Sequence, residues 1–268
     1  NLTKRQMHPI LSSPGNPKIK QLISLEKARE RRKQNQFVIE GLREILLAKA
    51  AGYQFISIFY CPDIADESEL LNKGFDHQSL VPVTQGVFEK IAYRESTGGV
   101  VAVARQRPNR LNDIKLGAKP LIIVLESIEK PGNLGAVLRT ADAAGVDAVI
   151  SCDGETDFYN PNTVRSSLGG VFTNQIASAS SEETIVWLKK NDIKIFCTYL
   201  EASVPYTKVD FNQPCAIIMG SEAKGLSDAW VENSDSNIII PMKGAIDSMN
   251  VSVSAAIVVF EALRQRQV

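Results

Sequence analysis

The sequence predicts an α/β chain in two parts, a small α/β sandwich followed by a larger domain built on a parallel sheet. Three observations carry this. Over the second half, five continuous apolar runs alternate with helical stretches: Leu121–Leu125, Ala148–Ile150, Ile195–Thr198, Ala216–Met219 and Ile238–Ile240. Continuous rather than alternating apolar character marks strands covered on both faces, the usual condition of a parallel sheet. The first half alternates shorter strand and helix patterns, which fits a small sandwich. Between them, Arg105–Pro120 is polar, carries Pro108 and Pro120, and is the natural boundary.

The elements follow in order. Residues 16–34 read as one helix, with Pro17 in its first turn, an apolar stripe of Ile19, Leu22, Ile23 and Leu25, and a basic opposite side. Phe37–Ile39 is a short strand. Residues 40–51 are helical and stop at Gly52. A strand at Phe55–Tyr60, a helix at Glu67–Asn72, a strand at 80–83, a helix at 85–92 and a buried strand at 100–104 complete the first part. Phe37, Phe88 and Tyr93 are expected in its core. In the second part, helices are predicted at 134–144, 163–168, 182–190, 227–232 and from Val251 to Arg264.

Bulk properties narrow the function. The 268 residues are 44% hydrophobic, enough to pack a core, and no apolar run approaches the roughly 20 residues of a membrane span. Asn1–Gln6 carries no signal-peptide core, so a cytoplasmic protein without membrane partners is expected. Cys61, Cys152, Cys197 and Cys215 are widely spaced, and with only two histidines no metal site is expected. The net charge of zero hides an asymmetry. Residues 1–110 hold 17 Lys and Arg against 11 Asp and Glu, whereas residues 111–268 hold 13 against 19. The basic excess concentrates in Lys18, Lys20, Lys27, Arg29, Arg31, Arg32 and Lys33, the pattern of a polyanion-binding face.

Three stretches carry more polar chemistry than loops need. They are residues 129–145 (EKPGNLGAVLRTADAAG), 217–227 (IIMGSEAKGLS) and 240–254 (IPMKGAIDSMNVSVS). Each follows or ends a predicted strand, where open α/β sheets hold ligands. Simpler nucleotide motifs fail. The turn Gly132-Asn-Leu-Gly135 lacks GxGxxG, and in Gly220-Ser-Glu-Ala-Lys-Gly225 the lysine precedes rather than follows the second glycine of a phosphate loop. Asn133 and Gly135 lie at a helix start, where backbone N–H groups are free. Arg139 stands among small, close-packing residues and must reach a surface, a partner subunit or an anion. Glu222 sits in a tight turn, and Ser248 and Asn250 flank Met249 just before the last helix, where either could also cap it.

In order and spacing the three stretches resemble the SpoU branch of the SPOUT RNA methyltransferases over residues 121–268. Segments 13–20, 37–41 and 97–103 more loosely resemble the RNA-binding domain of ribosomal RNA members. The resemblance implies a substrate-binding domain over 1–107, a linker over 108–120 and a methyltransferase domain over 121–268 with a deep trefoil knot. It implies S-adenosylmethionine as cofactor, held around Thr198, Tyr199, Leu200, Gly220, Ile240 and Met249, with its adenine among Ile217, Ile239 and Ile240. It also implies a homodimer and a catalytic set of Asn133, Arg139, Glu222, Ser248 and Asn250. The product would be a 2′-O-methyl ribose, most naturally in ribosomal RNA, with transfer RNA, an antibiotic-resistance role or a non-catalytic RNA-binding role as alternatives.

Overall fold

A computed structural model of the chain describes residues 8–93, 98–154, 156–201, 203–221, 224–245 and 248–267. The chain divides into two compact units, residues 1–107 with Tyr159–Pro161, and residues 108–158 with 162–268.

The first unit contains α1 (Pro17–Ser24), α2 (Ala28–Gln34), β1 (Gln36–Glu40), α3 (Leu42–Ala50), β2 (Phe55–Tyr60), α4 (Glu67–Asn72), β3 (Leu80–Pro82), α5 (Gln85–Ile91) and β4 (Val100–Arg105). The four strands form one sheet in the order β1-β4-β2-β3. Strand β4 is antiparallel to both neighbours, and β3 runs parallel to β2. Ile19, Leu22, Val38, Phe59, Val87 and Phe88 pack a core on one face of this sheet.

The single helix expected over 16–34 is two. Asn16 caps α1 by accepting from the Lys18 amide at 2.9 Å, with Pro17 at the first helical position. The chain then breaks at Leu25–Lys27, where the Arg31 guanidinium donates to the carbonyls of Leu25 (3.0 Å) and Glu26 (2.7 Å). These carbonyls lie at the helix end, where side-chain donors replace the missing intrahelical N–H groups. Arg31 is therefore only 1% exposed, a structural clamp rather than a phosphate contact, which corrects its expected place in the RNA-binding face. Lys18, Lys20, Lys27, Arg29, Arg32 and Lys33 are not buried. Tyr93, expected in the core, is 75% exposed, whereas Phe37 and Phe88 are buried.

The second unit contains β5 (Leu121–Glu126), α6 (Pro131–Ala144), β6 (Ala148–Cys152), α7 (Pro161–Ser166), α8 (Gly170–Thr173), β7 (Ile176–Ala179), α9 (Ser181–Lys190), β8 (Lys194–Thr198), β9 (Val204–Pro205), β10 (Cys215–Met219), α10 (Asp228–Glu232), β11 (Ser236–Ile239) and α11 (Val251–Arg266). Its strands form one sheet in the order β7-β6-β5-β10-β8-β11-β9, parallel at every pairing. Strands β5, β6 and β10 are buried along their whole length, as the continuous apolar runs require. The expected strands number five; β7 and the two-residue β9 are additional edge strands. The segment expected as a linker packs on this unit. Leu111, Ile114 and Leu116 lie against its core, and Gln175 exchanges hydrogen bonds with the Lys115 backbone.

Candidate active site

Four loops leave the carboxyl ends of neighbouring strands β5, β10, β8 and β11, so the topology sets the three polar stretches and the 198–201 turn on one edge of the sheet. A cavity of about 480 Å³ lies there, within the range of small-molecule and cofactor sites. Thr198, Tyr199, Leu200, Gly220, Ile240 and Met249 all line it, and so does Ser248. Ile238, Ile239, Leu226 and Val258 add apolar wall. Ile217 does not line it; it is fully buried in the sheet. The apolar surface near the strand ends comes from Ile238, Ile239 and Ile240 instead.

The loop after β10 is shaped by close backbone approach. A Cβ built on Gly220 would lie 2.3 Å from the Gly225 carbonyl and 2.6 Å from the Leu226 nitrogen, so only glycine fits. Ser221 and Gly225 exchange backbone hydrogen bonds at 3.2 and 3.0 Å, and the Ser221 hydroxyl accepts from the Lys224 amide at 3.0 Å. Glu222 lies outside the described residues.

The first and third polar stretches meet. Helix α6 begins at Pro131, so Asn133 occupies its first turn, and α6 packs against α11. Gly135 permits an equally close approach on another side, since a Cβ there would come 1.9 Å from the Ser166 hydroxyl. Asn250 is the N-cap of α11. Its Oδ1 accepts from the Ser252 amide at 2.9 Å, and its Nδ2 donates to Asn133 Oδ1 at 3.1 Å. Asn250 is thus the cap of α11, and the same side chain joins the third polar stretch to the first. Arg139 is exposed on α6, is absent from the cavity wall, and makes no hydrogen bond or ion pair among the described residues.

Sequence reasoning missed other parts of the wall, among them Glu201, Lys224, Leu226, Ser254 and Val258. Ser254 and Val258 fall three and seven positions after Val251, the spacing of one helix face, so periodicity could have found them. Among the described residues Glu201 and Lys224 are the charged groups on the wall, one of each sign; Lys224 lies within the 217–227 stretch, whereas nothing in the local sequence distinguishes Glu201 from a solvent-facing loop residue. Among the described residues no group of three or more His, Cys, Asp or Glu could hold a metal ion, and no helix is long and apolar enough to cross a membrane.

A parallel α/β sheet with a nucleotide-sized cavity at its carboxyl edge, lined by backbone turns rather than a phosphate loop, defines a class of cofactor-binding domain. The particular family follows from comparison. The SpoU rRNA methylase family model matches residues 120–260, and an MRM3-like substrate-binding domain matches residues 16–102. The chain belongs to the SpoU rRNA methylase family. It is 29% identical over 253 residues to the 23S rRNA (guanosine(2553)-2′-O)-methyltransferase RlmP of Bacillus subtilis, covering 93% of this chain and 97% of that one. It superposes on the crystal structure of an RNA 2′-O ribose methyltransferase with a TM-score of 0.83 at 37% identity, covering 97% of this chain and all of the other. An rRNA methyltransferase from Sinorhizobium meliloti, crystallised with S-adenosylmethionine bound, gives a TM-score of 0.86 at 30% identity over 96% of this chain and 97% of that one.

Proposed function

We propose that the protein transfers the methyl group of S-adenosylmethionine to a ribose 2′-hydroxyl of ribosomal RNA. The observation that carries this reading is the convergence of Thr198, Tyr199, Leu200, Gly220, Ile240 and Met249 on one cavity, with the Asn133–Asn250 bond joining the first and third polar stretches. The wall fits the cofactor's two ends. Ile238, Ile239, Ile240 and Leu226 offer apolar surface for an adenine, and Lys224 and Glu201 offer one charge of each sign for the amino and carboxylate groups. When bound, the sulfonium supplies an activated methyl group.

The chain's own residues then act on the hydroxyl. A guanidinium is a poor base and a good electrostatic partner, so Arg139 is assigned the electrostatic role. Its exposed position leaves it able to meet an RNA phosphate and stabilise developing alkoxide charge. Ser248, on the cavity wall, and the paired Asn133 and Asn250 orient the ribose, together with Glu222. In-line positioning of the hydroxyl against the methyl carbon supplies much of the rate.

Ribosomal RNA is favoured over transfer RNA because the relatives that act on it match this chain across both units. The cations Lys18, Lys20, Lys27, Arg29, Arg32 and Lys33 of the first unit neutralise phosphates. The same reading makes the protein a homodimer, with Arg139 near the junction and exposed Val253 and Phe260 of α11 on the covered surface. It also gives the C-terminal segment the threaded course of a trefoil knot, consistent with β10 lying between β5 and β8 while α11 packs on α6. Calorimetry with S-adenosylmethionine tests the assignment: micromolar binding is expected, and no binding up to millimolar concentration would leave an RNA-binding scaffold.

A further inference from the structure

Glu126 ends β5 and is 5% exposed, although it lines no part of the cavity. A buried carboxylate is costly unless its oxygens are hydrogen-bonded. Its partners among the described residues are all neutral donors. Oε1 accepts from the hydroxyls of Ser227 at 2.6 Å and Ser181 at 3.0 Å, and Oε2 accepts from the Ser227 amide at 2.7 Å. The Trp230 indole donates to the Ser181 hydroxyl at 3.0 Å, which commits that hydroxyl's own proton to Glu126.

The grip on Ser227 is two-pronged and fixes the orientation of the peptide between Leu226 and Ser227. The nitrogen of Leu226 is one of the atoms packed against Gly220, and both Gly220 and Leu226 line the cavity. The Leu226 nitrogen lies in the adjoining peptide, so a displacement of the Leu226–Ser227 peptide reaches the Gly220 contact through the single residue Leu226. An apolar side chain of similar volume would bury more cheaply than a carboxylate. What the carboxylate adds is direction for the loop that closes at Ser227.

We infer that Glu126 is a positioning residue, which through Ser227 holds the Gly220 and Leu226 wall of the cavity in its cofactor-binding shape. The inference rests on the methyltransferase reading above. Its consequence is selective: loss of the grip weakens S-adenosylmethionine binding and leaves RNA binding and the chemical step largely intact.

The test uses the full chain with Glu126→Gln, Ser227→Ala and both together. S-adenosylmethionine affinity is measured by calorimetry. Steady-state kinetics vary the cofactor and ribosomal RNA from cells lacking the protein separately. Each single variant is expected to raise the cofactor's Kd and KM, Glu126→Gln by about tenfold. At saturating cofactor kcat stays within about threefold of wild type, the RNA KM is unchanged, and the double variant is no worse than Glu126→Gln, because both act through one interaction. Unchanged cofactor affinity in both single variants overturns the inference. So does a fall in kcat with cofactor KM unchanged, the signature of a merely reduced folded fraction. Should Glu126→Gln fail to fold, Ser227→Ala decides on the same readouts. A wild-type chain that binds no S-adenosylmethionine overturns the underlying reading and the inference with it.

Discussion

Asn250 concentrates two demands in one side chain, and they can be separated. Its Oδ1 caps α11 while its Nδ2 reaches Asn133 across to α6. Asn250→Ala removes both, and the lost cap alone lowers unfolding free energy by about 1 kcal/mol. Asn250→Ser retains a capping oxygen but cannot span to Asn133. The expected outcome is near-normal stability in urea for the serine variant with methyl transfer reduced by about tenfold or more, on the order of one lost charge-free hydrogen bond in a positioned site. Wild-type activity in Asn250→Ser would show that the bond to Asn133 has no part in catalysis. Arg139 gives a second contrast at this scale. Arg139→Lys keeps the charge but not the planar fork, and a fall in kcat of about 10²-fold is expected if the guanidinium recognises a phosphate; near-normal kcat would assign it a charge-only role.

At the scale of elements, α2 carries both a surface and a clamp. Arg29, Arg32 and Lys33 face outward, whereas Arg31 points inward and holds the break between α1 and α2. Replacing Arg29, Arg32 and Lys33 with alanine should weaken RNA binding across sequences and lower the salt-dependence slope by roughly one for each phosphate no longer neutralised. Arg31→Ala should instead cost about 2 kcal/mol of stability, since its buried bonds to two carbonyls are charge-assisted, and leave the slope unchanged. The same helix shows where the sequence was hard to read. The apolar stripe runs unbroken through Leu22, Ile23 and Leu25, so periodicity alone joins α1 and α2, and the break depends on a side chain six residues on. The parallel strands were readable because Leu121–Leu125 and Ala216–Met219 must be apolar on both faces. Strand β7 was not, because Ile-Ala-Ser-Ala at a sheet edge mixes small and half-exposed positions. In the site, the loops announced themselves through surplus polar residues and paired glycines. Glu126 did not: it reads as the polar end of an apolar run, and its role appears only when Ser181 and Ser227, 55 and 101 residues away, are brought to it.

Over the whole molecule, charge is divided between an excess of basic residues in the first 110 positions and an excess of acidic ones thereafter. That division suits a chain whose first unit meets a polyanion and whose second unit builds a cofactor cavity from backbone and apolar surface. The second unit also sets an alkaline limit on stability. Burial pushes the thiols of Cys152 and Cys197 up to about 12 and that of Cys215 up to about 11, from an ordinary value of 9.0. The folded state therefore keeps these protons where the unfolded chain releases them. The contribution of these thiols to stability should be level below about pH 9 and fall progressively between about pH 9 and about 12, a trend that urea midpoints across that range would register and that midpoints unchanged between about pH 9 and about 12 would refute. The reaction itself can be read directly from its product. The protein is incubated with methyl-labelled S-adenosylmethionine and ribosomal RNA from cells lacking it, and the RNA is then hydrolysed in alkali. A methyl group on the 2′-oxygen blocks cleavage at that linkage, so the account predicts label in an alkali-resistant dinucleotide; label released in single nucleotides, as from a methylated base, or no transfer at all, would contradict it.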